Sequence, residues 1–273
     1  MRVASDAGRV AVSYLSARAA ASATGAGADS PAEVPLNVTE VVSESPLTGR
    51  VALVTGGSNA LGRACGLALA RAGCLVALTS DHDDPDGAAE ADEAADRCER
   101  ESGRAIAIAA SIGVPEEVER VWVEVTAALG APTVFVHAAG AAMDGGRTIA
   151  ETTPAEWRDV QRTNLDAAFY CARAVLPAMR AQGFGRIILL TGAPAEPLAA
   201  TPGAGAMAAA HAALVSLVRT LAAEETGRGV TVNAVGPGSV EAEDVARVVA
   251  FLASPASVHI SGAHVAVGAG GGS

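Results

Sequence analysis

The chain has 273 residues, half of them apolar and 18% charged, with a net charge of −11 and a pI near 4.9. That is enough apolar length to bury a sizeable core, which excludes a disordered chain or a disulfide-stapled miniature, and its acidity excludes nucleic acid as a partner. All 19 basic residues are arginine, and tyrosine occurs only as Tyr14 and Tyr170. Lysine chemistry is therefore excluded from within the chain.

Aromatic residues supply only 3% of the chain against 64 alanines, so small residues must pack the core, as they do where helices lie flat on a sheet. Residues 1–46 are rich in Ala, Ser, Gly and Pro and lack the continuous apolar stretch of a secretory signal; they read as a mobile N-terminal extension. Residues 47–273 read as one domain. No apolar run reaches membrane-spanning length, so no membrane association is expected. Cys65, Cys74, Cys98 and Cys171 lack metal-ligand spacing and sit in apolar segments, which points to reduced, buried thiols, no metal site and a cytoplasmic protein.

From position 50 short β-branched runs alternate with helix-period segments. Strands are predicted at Val51 to Thr55, Cys74 to Thr79, Ala105 to Ala109, Thr133 to His137, Arg186 to Thr191, Val230 to Val235 and His264 to Val267. Helices are predicted at Ala60 to Ala72, Gly87 to Ser102, Pro115 to Leu129, Pro154 to Ala181, Ala204 to Thr226 and Glu241 to Ala253. Parallel strands joined by helical crossovers make a single α/β Rossmann-type, doubly wound sheet of about seven strands, with ligands at the carboxyl ends of the strands.

The first strand runs into Thr55-Gly56-Gly57-Ser58-Asn59-Ala60-Leu61-Gly62 and then a helix. Such a turn aims free N–H groups and the helix dipole at a pyrophosphate. This stretch resembles the TGxxxGxG turn of the short-chain dehydrogenases/reductases. The resemblance continues through His137-Ala138-Ala139-Gly140, Glu156-Trp157 leading to Asn164, Gly185-Arg186-Ile187-Ile188, Val232-Asn233-Ala234-Val235-Gly236-Pro237-Gly238, Phe251-Leu252-Ala253-Ser254 and the closing Gly262 to Gly270. It covers essentially all of residues 48–273 and is nearest to ketoreductase-type members. It implies dinucleotide contacts from Gly56, Ser58, Asn59, Leu61, Gly62, Ile112, Ala138, Ala139, Gly140, Pro237 and Gly238.

The departures from the family pattern are specific. Ala60 replaces the middle glycine of the turn, putting a methyl where the cofactor approaches. Asp81 follows the second strand, where an acid takes the ribose hydroxyls and repels a 2′-phosphate, so any dinucleotide should be NAD(H) rather than NADP(H). Asp83, Asp84, Glu90, Asp92, Glu93 and Asp96 read instead as a solvated acidic face. Ser111 stands in place of the aspartate that holds the adenine. These losses leave open a member that binds no dinucleotide.

The resemblance implies a Ser, Tyr and Lys acting on the substrate oxygen, with an Asn supporting a water relay. Asn164 matches the Asn, but the serine position reads Gly192, with Thr191 the nearest hydroxyl, and Tyr-x-x-x-Lys reads Met207 to His211. Methionine has no proton to give, and an imidazole titrates about four units below a lysine. The candidate catalytic residues are therefore Asn164, His211 and Thr191, while Tyr170 is expected to pack. Pro237-Gly238 leads almost at once into the last helix, so the substrate lid of the family is missing. The expected function is a non-catalytic partner subunit in a homo- or hetero-oligomer with another family member, serving an acyl- or polyketide-type reductase. Its interfaces would include Ala206, Ala209, Ala210 and Ala213. The alternative is an NAD(H)-dependent oxidoreductase or a non-redox acid/base enzyme built on His211.

Overall fold

The computed structural model describes residues 47–140, 146–191 and 202–268. The N-terminal extension lies outside the described residues. In chain order the elements are β1 (Val51–Thr55), α1 (Ala60–Arg71), β2 (Leu75–Ser80), α2 (Pro85–Ser102), β3 (Ala105–Ala109), α3 (Pro115–Ala128), β4 (Val134–His137) and α4 (Pro154–Gln161). A π-turn (Arg162–Asp166) leads to α5 (Ala167–Gln182), β5 (Gly185–Leu190), α6 (Gly205–Glu224), β6 (Val230–Pro237), α7 (Ala242–Ala253) and β7 (His264–Val267).

All seven strands pair in parallel, in the order β3-β2-β1-β4-β5-β6-β7. β1, β4, β5 and β6 are buried along their whole length because helices cover both faces. On one face Cys65, Leu69, Cys98, Val245, Val249 and Leu252 of α1, α2 and α7 pack against Val54, Val76 and Val136. On the other, Val121, Val125, Ala168, Val175, Leu214 and Val218 of α3, α5 and α6 pack against Leu53, Phe135 and Ile187. The order reverses between β1 and β4, so the crevice outside their carboxyl ends is where a ligand fits in such a sheet. This is the Rossmann-type α/β sheet expected from the sequence.

Two expectations about the helices are corrected. The segment read as one helix from Pro154 to Ala181 is broken by the π-turn. Its cause is local: the Asn164 side-chain amide donates to the Val160 carbonyl at 2.9 Å, taking an acceptor that α-helical backbone bonding would use. Ala167 N–H then bonds Arg162 O, five residues back. Secondly, α6 is, among the described residues, the one helix long and apolar enough to cross a membrane by length and composition, with a mean hydropathy of 1.5, although no run of that length was expected. Its apolarity has another use here, since Ala206, Ala210, His211, Leu214, Val215, Val218 and Ala222 are buried within the domain.

The four thiols are buried and unpaired, and burial pushes those of Cys65, Cys74 and Cys171 up to about 12 and that of Cys98 to about 11. Among the described residues no His, Cys, Asp and Glu group can hold a metal ion. Only residues 238–241 separate β6 from α7, which leaves no room for a helical lid at that point.

Candidate functional site

β1 ends in a turn that only glycine can make at two points. Gly56 has φ +78°, and a Cβ on Gly62 would lie 2.0 Å from the Gly56 carbonyl oxygen, so the turn and the first coil of α1 touch backbone to backbone. Asn59 caps α1 by accepting from Gly62 N–H at 2.8 Å and donates its amide to the Ala138 carbonyl at 2.9 Å, tying the turn to the end of β4.

Beside this turn a slot of about 260 Å³ opens at the carboxyl ends of β1 to β4. It is lined by Gly56, Ser58, Asn59, Asp81, Ile112, Ala139 and Gly140, with Ser111, Asp159, Arg162 and Thr163 on its far side. Seven of the residues expected to contact a dinucleotide therefore converge. Ala138 reaches the site through its carbonyl, and Gly62 serves the close packing of turn and helix. Leu61, Pro237 and Gly238 line instead a larger outer groove of about 880 Å³ between α1 and α7. Ala60, expected to put its methyl against the cofactor, is exposed and lines that same groove rather than the slot.

Asp81 is exposed at the mouth of the slot, where its Oδ1 accepts from Asp83 N–H at 3.2 Å and from the Ser111 hydroxyl at 3.4 Å. The acids after it lie as expected on a solvated face: Asp84 caps α2 through Gly87 N–H, Glu90 pairs with Arg63, and Asp92, Glu93 and Asp96 face solvent. The glycine turn, the start of α1 and the Asp81 carboxylate thus border one slot, and these are the residues that would hold a dinucleotide. NAD(P) would supply or accept a hydride at its nicotinamide.

Asn164 is buried in the π-turn. Its amide donates to the Val160 carbonyl and approaches the Met207 sulfur at 3.8 Å. Its backbone carbonyl is reached by Nε2 of His137 at 2.9 Å. In the sequence His137 is only the first residue of a family-like stretch, and the structure gives it a role. It sits opposite Thr55 in the β1–β4 register, so the two side chains share a face, and Thr55 Oγ1 lies 2.9 Å from His137 Nδ1. A carbonyl can only accept, so Nε2 carries the proton, Nδ1 accepts from the Thr55 hydroxyl, and Thr55 Oγ1 in turn accepts from Ala139 N–H at 3.3 Å. The chain of bonds is complete with a neutral imidazole. Complete burial lowers the His137 pKa to about 4, against the opposing effect of the Asn164 carbonyl.

Met207 packs beside Val160, Ala206 and Ala210. His211, one turn later, is 6% exposed, and its pKa is lowered by burial. A neutral buried imidazole cannot replace the permanent cation of a lysine. Thr191 is fully buried, and its hydroxyl lies 3.4 Å from the Val235 carbonyl and 3.3 Å from His264 Nε2, toward β6 and β7. The structure thus brings Asn164 and Met207 together and places Thr191 among other partners. Gly192 lies outside the described residues. Tyr170 packs on the core beside Phe169, as expected.

The family model for short chain dehydrogenases matches residues 50–251. The chain belongs to the short-chain dehydrogenase family. It is 35% identical to an Arabidopsis thaliana chloroplastic protein named as NADPH-dependent aldehyde reductase-like, over 72% of this chain and 75% of that one. It is 31% identical to the 3-oxoacyl-acyl-carrier-protein reductase of Pseudomonas aeruginosa, over 82% of this chain and 98% of that one. Among solved structures, a short-chain alcohol dehydrogenase from Sinorhizobium meliloti superposes with a TM-score of 0.72 at 27% identity, covering 80% of this chain and 94% of its own. The family binds NAD(P), and this chain resembles its ketoreductase-type members.

Proposed function

We propose that this short-chain dehydrogenase homologue keeps the dinucleotide frame but not ketoreductase chemistry, and acts as a non-catalytic or structural partner subunit of an active acyl- or polyketide-type reductase. The observation that carries the reading is Met207. Its sulfur lies 3.8 Å from the Asn164 amide, in the position matched to the family's tyrosine, and a thioether cannot protonate an alkoxide. The neutral His211 and the short β6–α7 connection support it from two further directions. Ala206 and Ala210 are buried inside the domain and withdraw from the list of interface residues, whereas Ala209 is exposed.

Any dinucleotide is NAD(H) rather than NADP(H). The Arabidopsis relative is named for NADPH and gives this preference no support; it rests on the Asp81 carboxylate at the mouth of the slot. The test has three arms. Calorimetric titration is expected to give saturable binding of NADH with little for NADPH. Assay of a 3-oxoacyl thioester with either cofactor is expected to give no turnover, and light scattering of the chain mixed with an active family reductase is expected to give a mixed assembly. Turnover by the chain alone sinks the non-catalytic reading.

One observation favours a second reading. His211 is a buried acid/base group one helical turn from Met207 on α6. If it performs elimination, isomerisation or cyclisation, or serves as the proton donor of an NAD(H)-dependent oxidoreductase, His211→Ala abolishes that turnover. A variant with unchanged turnover removes this alternative.

A further inference from the structure

We infer that Arg162 is the adenine-holding residue of this chain, taking over a task for which the residues after β3 are no longer equipped. The inference rests on the nucleotide-binding reading above and goes further by naming the group that grips the base. The slot is lined on its β3 side by Ala110, Ser111, Ile112 and Gly113, none of which carries a charge, so no carboxylate there can accept from the purine amino group. Across from them the π-turn brings up Arg162, among the described residues the single cation lining the slot.

Its placement is built. Asp159, one turn earlier, accepts from Arg162 Nη2 at 2.6 Å and fixes the guanidinium at one end. The stem lies across Gly113: a Cβ on Gly113 would come within 2.7 Å of Arg162 Cγ and 3.0 Å of Nη1, so the absence of a side chain there is what lets the arginine lie flat along the wall. The π-turn matters as well. The extra residue it accommodates sets the register of everything from Arg162 onward against the end of β4.

A planar guanidinium lying along a narrow slot suits the face of an aromatic ring, which it meets by cation–π stacking. Asp81 on the β2 side suits the ribose hydroxyls. Slot chemistry therefore divides in two, with an anion for the sugar and a cation for the base. AMP contains both partners without the nicotinamide half.

The test is calorimetric titration of the full-length protein and of Arg162→Ala and Arg162→Met with AMP, NADH and reduced nicotinamide mononucleotide. Arg162→Met keeps the apolar stem, and the half-buried position of Arg162 makes both substitutions compatible with folding, which circular dichroism checks. The expected result is AMP and NADH binding by the wild type, weakened about tenfold in both variants, with no change for the mononucleotide. Equal AMP affinity in wild type and both variants overturns the role of Arg162 and leaves the nucleotide reading standing. Failure of the wild type to bind AMP or NADH overturns both. Tenfold weakening in Arg162→Ala but not in Arg162→Met assigns the effect to packing of the stem and likewise overturns the role given to the guanidinium.

Discussion

His137 shows how one side chain can join three segments. Thr55 on β1, Ala139 beyond β4 and the Asn164 carbonyl on the π-turn are linked through a single neutral ring. Protonation would replace the acceptor at Nδ1 with a second donor facing the Thr55 hydroxyl, which already receives Ala139 N–H. The linkage has a definite sign. The folded-state pKa is depressed from 6.5 to about 4, so between those values the unfolded chain binds a proton that the folded chain does not. Stability is full above pH 6.5 and falls as pH drops toward 4, by about 3 kcal/mol from this residue. Denaturant midpoints measured from pH 7 to pH 4 are expected to show that loss in the wild type and a smaller one in His137→Asn. Parallel curves for the two proteins count against the assignment. The site residues Asn164 and Met207 were legible from family spacing, whereas His137 and Arg162 were not. The first needs the Thr55–His137 strand register, and the second needs the π-turn, before either has a partner to touch.

At the level of elements, the decisive contact is the one between the glycine-rich turn and α1. Adding one methyl at Gly62 forces a Cβ to within 2.0 Å of a backbone oxygen that belongs to the turn itself, so neither side can relax without moving the N–H groups aimed at the pyrophosphate. Gly62→Ala is expected to cost about 3 kcal/mol in urea unfolding and to abolish calorimetric NADH binding. Retained binding would mean that the turn does not set the pyrophosphate site. Ala60→Gly, by contrast, is expected to leave NADH affinity within about threefold of wild type, because the methyl faces the outer groove and not the slot. The starts of α1 at Ala60 and α4 at Pro154 were readable in the sequence, whereas α2 begins at Pro85, two residues before the Gly87 expected; Asn59, Asp84 and Thr153 each cap their helix by accepting from the backbone N–H three residues on. The break in the long α4–α5 helix was not readable, since Asn164 carries the same helical pattern until its amide finds the Val160 carbonyl.

Taken as a whole molecule, the domain couples nucleotide binding to global stability. β1 and β4 lie at the centre of one seven-stranded sheet, so a ligand at their carboxyl ends binds the folded state alone and stabilises it by mass action. NADH at a hundred times its dissociation constant is expected to add about 2.7 kcal/mol, read as a rise in Tm, with a smaller rise for NADPH at the same concentration. An equal rise with both removes the selectivity argued from Asp81. What the sequence alone determined was the alternation of buried strands with amphipathic helices, the turn chemistry after β1 and the lack of any lysine. Each of these is written in local periodicity or in residue identity. Tertiary structure alone decided that Ala60 faces outward, that Thr191 is spent on β6 and β7, that His137 holds the Asn164 carbonyl and that Arg162 lines the slot. These depend on which strands pair and on where a helix gains a residue per turn, and both are settled by contacts between residues far apart in the chain.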